Sequence, residues 1–295
     1  MSAARVALVL GGRHGLLGQA LTKALPLAGW RAVALGREDF DPFDQGALRE
    51  TCQREQATAI FNTVAYTAVD QAEDDRDAAF RLNRNLPRLL GLSARELGIA
   101  LVHFSTDFVF DGKKDTPYTA KDNPAPESVY GQSKLAGEQA LLEIAPPDLL
   151  IIRTSWLFGP GKANFVSKIL DLAHTRDKLT VVADQTGSPT YTPDLAKNSV
   201  VLLDSGARGL FHLASGGKAT WCELAAQAVH LAGYPCRVEP IATDAWPAKA
   251  KRPRFSVLDL DAFTEATGIV PRPWEQGLRD YIFTDLALGD ALGED

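Results

Sequence analysis

LVLGGRHGLLGQAL, residues 8–21, decides the fold. An apolar run ends at a glycine turn and passes directly into a stretch whose apolar residues recur at helical spacing. Glycines set immediately after a strand let the backbone approach a pyrophosphate, and the helix that follows offers the positive end of its dipole to that charge. Gly12, Gly15, Leu16, Leu17 and Gly18 are therefore the expected phosphate contacts. The spacing is GxxGxxG, one residue shifted from the usual dinucleotide fingerprint. Taken alone it is a weak signal, because such turns also serve packing. The strand before and the helix after supply the context.

Outward from this turn, RVALVLG, RAVALG, AIFNTVA, ALVHFST and LLIIRTSW alternate with amphipathic helical stretches, the pattern of βαβ units in a parallel sheet. Their near-continuous apolar character suits strands covered on both faces. After Trp156 the rhythm loosens, with Pro and Gly in GPGK, GSPTYTP and GYPCR, although Gly209–Ser215 still reads as a strand of the main sheet. The expected architecture is α/β: a Rossmann-like doubly wound parallel sheet with a smaller, discontinuous α/β substrate domain. Residues 1–155 and about 179–215 form the dinucleotide-binding domain. Residues 156–178 and 216–285, with the helix TWCELAAQAVHLAG and the strand CRVEPIA, form the substrate domain. The acidic tail 286–295 is expected to fray.

The 295 residues are 45% hydrophobic, enough for a sizeable core, and 31 Lys+Arg against 37 Asp+Glu leave the surface mildly acidic. That balance argues against nucleic acid and anionic lipid as partners, so an anionic ligand needs a local cluster of cations. Cys52, Cys222 and Cys236 are scattered and match neither a CxxC pair nor a disulfide framework, which reads as reduced thiols in a cytoplasmic protein. The opening lacks the cleavage site of a signal peptide, and no run is long enough to cross a bilayer.

The second strand ends at Gly36 with Arg37 next, where an NAD enzyme usually offers an acid to the ribose 2′-hydroxyl. A guanidinium there can pair with a 2′-phosphate, so NADPH is expected, with NADH the alternative because Glu38 and Asp39 follow. Asp41 is a candidate adenine-side contact, and Asp44 reads as the N-cap of the next helix. Asn62, Ala65 and Tyr66 follow the third strand at the carboxyl edge of the sheet, where ligands of open α/β folds bind.

ALVHFSTDFVFDG delivers Thr106, Asp107 and Phe108 to the same edge, and VYGQSKLAGEQAL, residues 129–141, places Tyr130 four residues before Lys134 on one helix face. A phenol titrates near pH 10, and an ammonium beside it is expected to lower that value. With Thr106 at the strand end, this pattern resembles the short-chain dehydrogenase/reductase superfamily, which implies that Tyr130 protonates an alkoxide, Thr106 hydrogen-bonds the carbonyl oxygen and Lys134 holds the nicotinamide ribose. His103, inside the strand, reads as a packed core residue.

A strand end carrying Ser or Thr, followed by YxxxK, resembles the short-chain dehydrogenase/reductase superfamily. STDFVFDGKKDTPY, VYGQSKLAGE, RTSWLFGPGKANF and VVADQTGSPTY resemble, in order and spacing, its dTDP-4-dehydrorhamnose reductases, and the likeness runs from Val6 to about Ile282. The resemblance implies NADPH-dependent reduction of the C4 ketone of dTDP-4-dehydro-β-L-rhamnose, a dTDP-linked 4-keto-6-deoxysugar, to dTDP-L-rhamnose for cell-surface polysaccharide. It also implies sugar contacts from Trp156 and Asn164, the latter equally readable as a helix N-cap, and a function for Arg252 in the basic segment WPAKAKRPRFS. Ala120 and Ala20 depart from the pattern, standing where relatives carry glutamates. Ala20 replaces one linked to a metal-bridged dimer, so no metal is expected and a homodimer stays an alternative. Other readings are another nucleotide-deoxysugar 4-ketoreductase or epimerase, or a regulatory subunit that binds NADP without turnover. A 4,6-dehydratase needs an Asp-Glu pair after the STD turn, and here Phe108 follows Asp107.

Overall fold

In the computed structural model, which describes residues 5–288, the strands in chain order are β1 (Arg5–Leu10), β2 (Trp30–Leu35), β3 (Ala59–Asn62), β4 (Ala100–Thr106), β5 (Leu149–Thr154), β6 (Leu157–Phe158), β7 (Lys178–Val182), β8 (Thr186–Gly187), β9 (Thr190–Tyr191), β10 (Gly209–His212), β11 (Ala219–Thr220) and β12 (Arg237–Ile241). Six of them build the main sheet in the order β2-β1-β3-β4-β5-β10, and every neighbouring pair is parallel. β1 pairs with both β2 and β3, so the winding reverses there and opens a crevice above the carboxyl ends of the strands.

The helices that matter to the site are α1 (Leu16–Leu27), α2 (Gln45–Glu55), α3 (Val69–Ala72), α4 (Arg76–Phe80), α5 (Leu86–Leu97), α6 (Val129–Ile144), α7 (Phe165–Ala173), α8 (Thr192–Asp204) and α9 (Trp221–Leu231). Alternate strand residues face opposite layers, as a period of two requires. Ala7, Val9, Phe61, Val102 and Ile152 pack with Leu21 and Leu25 of α1 and Leu195 and Val200 of α8. Leu8, Leu10, Ile60, Leu101 and Ile151 pack with Leu48 of α2, Leu90 and Ala94 of α5 and Leu141 of α6. Each such fully buried aliphatic side chain contributes roughly 1.5–3 kcal/mol. Cover on both faces explains why these strands read as unbroken apolar runs.

A smaller parallel pair, β7 with β12, runs in register from Lys178↔Arg237 to Val182↔Ile241. Leu179 and Val181 find their apolar cover on α7 and α9, among Ile169, Ala225 and Val229. The sequence-based boundary at 179 is thus corrected: β7 stands with β12 rather than with the main sheet, and α8 is the element that returns to the large core. Leu286 and Leu288 pack beside Tyr281 and Ile282, and their amides donate to the carbonyls of those two residues at 2.9 and 3.0 Å. The remainder of the expected frayed tail, 289–295, lies outside the described residues.

Candidate active site

A crevice of about 1050 Å³ runs from the glycine turn after β1, across the ends of β3 and β4, to α6 and the segments 154–164 and 221. Gly15, Leu16, Leu17, Arg37, Asp41, Ala65, Thr106, Asp107, Phe108, Tyr130, Lys134, Trp156, Asn164 and Arg252 all line it. Residues spread over most of the chain therefore meet in one cavity.

At the glycine end, the Gly15 amide donates to the Gly11 carbonyl at 2.8 Å, closing the turn. Gly15 is the N-cap of α1 and brings no side-chain cap, and the first turn holds no acid, so its amides face the crevice without an internal anion. A Cβ on Gly15 would come within 2.7 Å of the Gly11 oxygen, so the turn keeps a bare backbone cradle of the kind a pyrophosphate needs. Gly12 and Gly18 do something different. A Cβ on Gly12 would meet the Val9 oxygen at 2.8 Å, and one on Gly18 would collide with Gly11. Both permit α1 to press against the strand, and neither lines the crevice. Gly11 was not anticipated: it lines the crevice with φ +82, and a Cβ there would meet the Thr63 hydroxyl at 2.6 Å.

Arg37 lies at the rim without a carboxylate partner among the described residues, whereas the two acids behind it are occupied. Asp39 accepts from Arg13 at 2.7 and 2.6 Å and from the Gly36 amide at 2.7 Å, and Arg13 holds its carboxyl below the usual range. Glu38 pairs with His14 at 2.9 Å. The cation therefore faces the crevice and the anions are neutralised locally, which fits a 2′-phosphate. Asp44 caps α2 as expected, accepting from Gly46 and Ala47 at 2.9 and 3.1 Å. Asp41 accepts from the Phe43 amide at 3.0 Å and shapes that turn.

Two expected cofactor contacts move elsewhere. Asn62 is 1% exposed, with Nδ2 against His103 Nδ1 at 3.0 Å and Oδ1 accepting from Val64 at 3.2 Å. His103 is the packed core histidine the sequence suggested; Asn62 meets its Nδ1, while its Nε2 is buried with no hydrogen-bond partner. Tyr66 does not line the crevice; its amide and carbonyl are both clasped by the Asn83 side chain at 2.8 and 3.1 Å. Both residues shape the strand end from behind.

At the reacting end, Ser128 caps α6 by accepting from the Gly131 amide at 3.1 Å. Gly131 lies so close to the Phe108 carbonyl that no side chain would fit between them. This contact sets the first turn of α6 on the Thr106–Phe108 turn, and Tyr130 meets Phe108 edge to face at 5.4 Å between ring centres. Thr106 Oγ1 donates to Asp107 at 3.0 Å and accepts from the Phe108 amide at 3.2 Å. Asp107, 2% exposed, also accepts from Ser256 at 2.6 Å, and burial pushes its pKa up to about 6.

The expected electrostatics between Tyr130 and Lys134 require correction. Lys134 is 2% exposed, and its ammonium donates to the Phe104 carbonyl at 2.5 Å rather than to the phenol. Burial lowers its pKa to about 8, partly offset by Glu138 one turn further along α6. Burial raises Tyr130 to about 12, with the neighbouring Thr106 hydroxyl pulling the other way. Desolvation, with the Asp107 carboxylate adding to it, outweighs the Thr106 hydrogen bond, so without cofactor the phenol is firmly protonated. Beneath them, Glu138 and Arg153 form a fully buried bidentate pair at 2.9 and 2.6 Å.

Across the crevice, Trp156 adopts a left-handed backbone, φ +49, and its ring stacks on Trp221 at 3.6 Å and 6°. Gly187 lies against the same ring, where a Cβ would meet Trp156 at 2.5 Å. Trp221 was missed from the sequence, although the capping box Thr220–Glu223 marks it as the first residue of α9. Asn164 proves to be the N-cap of α7, accepting from Val166 and Ser167 at 3.1 and 3.3 Å, and all its polar capacity is spent within the protein. Arg252 lines the crevice while forking onto Asp70 at 3.1 and 2.7 Å.

This constellation can be set beside known proteins. The model of the RmlD substrate binding domain matches residues 6–286. The chain belongs to that family. Among its RmlD relatives, the dTDP-4-keto-6-deoxy-D-glucose reductase of Streptomyces niveus is 40% identical, over 90% of this chain and 93% of that protein. The dTDP-4-dehydrorhamnose reductase of Streptomyces griseus is 38% identical, over 91% of this chain and 90% of that one. The crystal structure of dTDP-4-dehydrorhamnose reductase from Bacillus anthracis str. Ames, in complex with NADP, matches with a TM-score of 0.89 at 32% identity, covering 94% and 98% of the two chains. The Rossmann-like parallel sheet expected from the glycine turn and the strand rhythm is thus the fold these relatives share.

Proposed function

We propose that this protein reduces the C4 ketone of a dTDP-linked 4-keto-6-deoxysugar, dTDP-4-dehydro-β-L-rhamnose, using NADPH, and releases dTDP-L-rhamnose. The observation that carries this reading is that Thr106, Tyr130 and Lys134 line the same crevice as the Gly15–Leu17 turn and Arg37. The similarity to dTDP-sugar reductases supports it. In this reading the main sheet carries the dinucleotide, and residues 156–182 with 216–285 carry the sugar.

NADPH, when bound, supplies the hydride. The α1 amides and Arg37 hold its phosphates, and Lys134 holds its ribose. Thr106 exchanges its Asp107 acceptor for the ketone oxygen and stabilises the charge that develops there. Tyr130 then donates its proton to that oxygen. A pKa near 12 suits this direction: the phenol always carries the proton, and an alkoxide is the stronger base. Trp156, fixed by Trp221, closes the pocket against water. Asn164 holds the loop that precedes α7.

The test is to incubate purified protein with NADPH and dTDP-4-dehydro-β-L-rhamnose, follow loss of the reduced nicotinamide absorbance, and identify the sugar product. Stoichiometric formation of dTDP-L-rhamnose is the expected result. Tight NADPH binding with no consumption across several 4-keto nucleotide sugars would point instead to a non-catalytic subunit.

A further inference from the structure

The loop Gly159–Ala163, between β6 and α7, is shaped by its own backbone. Asn164 Nδ2 donates to the carbonyls of Gly159 and Lys162 at 2.9 and 3.1 Å and to the Tyr281 hydroxyl at 2.9 Å. Gly159 and Gly161 have φ of +148 and +101, conformations that side chains resist. Gly161 also meets α1 directly: its carbonyl accepts from Gln19 Nε2 at 3.2 Å, and a Cβ there would come within 2.6 Å of Gln19 Oε1. Gln19 is one turn into α1, its amide bonded to the Gly15 carbonyl at 3.0 Å. The loop is thus laid against the helix whose uncapped amino end faces the crevice.

The next residue is Lys162. Its side chain lines the crevice together with Gly15, Leu16 and Leu17, it is exposed, and no carboxylate pairs with it among the described residues. Neither packing nor a salt bridge accounts for a cation here. A dinucleotide diphosphate is doubly charged, while the helix end offers only roughly +0.5 of an elementary charge. Arg37, at the end of β2, is placed for the 2′-phosphate rather than for the bridge.

We propose that Lys162 is a cofactor-binding residue whose ammonium meets the diphosphate bridge of the nicotinamide dinucleotide beside the amino end of α1. The assignment rests on the NADPH-dependent reading given above. It makes cofactor binding an event that ties the β6–α7 loop to the main sheet. It also gives the two cations separate roles, with Arg37 selecting between dinucleotides and Lys162 holding any of them.

The experiment measures dissociation constants for NADPH and NADH by quenching of tryptophan fluorescence, in the unaltered protein and in Lys162→Ala, Lys162→Arg and Arg37→Ala. Lys162→Ala should weaken both dinucleotides by the same factor, about fivefold, the size expected of one exposed charge pair. Lys162→Arg should restore binding, and Arg37→Ala should weaken NADPH more than NADH. Unchanged constants for both dinucleotides in Lys162→Ala, or a change for only one, overturn the assignment. So does a loss of nucleotide-sugar binding with dinucleotide binding intact. If the unaltered protein binds neither dinucleotide, the NADPH reading itself falls and the assignment falls with it. Because Lys162 is exposed, the variants keep the fold.

Discussion

Replacing Lys134 with methionine should stabilise the cofactor-free protein while removing its turnover. Burial lowers the lysine from 10.5 to about 8, so the fold bears a cost of about 3 kcal/mol for holding the ammonium out of water. The sign follows from which state binds the proton more readily. Between pH 8 and 10.5 the unfolded chain keeps the proton that the native protein has released, so native stability rises with pH through that window. Below it the full cost is present, and above it the cost is gone. Methionine has similar length and no charge, and it leaves the Phe104 carbonyl without its ammonium donor, a loss of about 1–2 kcal/mol. The net gain near neutral pH is therefore about 1–2 kcal/mol, with a rise in Tm of about 2–4 °C for each kcal/mol. Urea unfolding of both proteins, followed by circular dichroism near neutral pH and again near pH 10.5, measures it. A methionine variant less stable than the parent at neutral pH would refute the argument from desolvation. So would a gap that fails to shrink as the pH rises.

Three further outcomes follow from the same geometry. Tyr130→Phe keeps the edge-to-face contact with Phe108, so dinucleotide affinity should hold while turnover drops by about 10²–10⁴; an unchanged rate would remove Tyr130 as proton donor. The ratio kcat/KM should fall as the pH rises through about 8, where Lys134 loses its charge, and a profile still climbing across that range contradicts this role. Glu138→Gln leaves Arg153 buried with no charge partner and should cost about 3–5 kcal/mol in chemical unfolding, whereas a loss under about 1 kcal/mol would mean that water reaches the guanidinium.

What could be read from the chain follows the range of the interactions. The parallel strands, the Gly15 turn, the Asp44 cap and the shared face of Tyr130 and Lys134 are periodicities of a few residues, and they appear where the spacing puts them. Asn62 and Tyr66 fall outside the crevice and Asn164 takes the N-cap alternative while lining it, because a polar residue near a ligand-binding edge looks the same whether it faces a ligand or a neighbour. Their partners His103, Asn83 and Tyr281 lie 41, 17 and 117 residues away. Trp221 escaped notice for the same reason, since only the fold brings it against Trp156.

The sequence by itself determined the α/β architecture, the glycine turn after the first strand and the candidate side chains that meet in the crevice, because backbone geometry fixes which residues share a strand end or a helix face. The tertiary structure alone decided how those side chains titrate and which polar groups stay free. Proton affinity depends on the water that is excluded and the partners that are met, and both are set by segments distant in the chain. The phenol and the ammonium show the difference: their spacing was local, but burial moved Tyr130 up and Lys134 down.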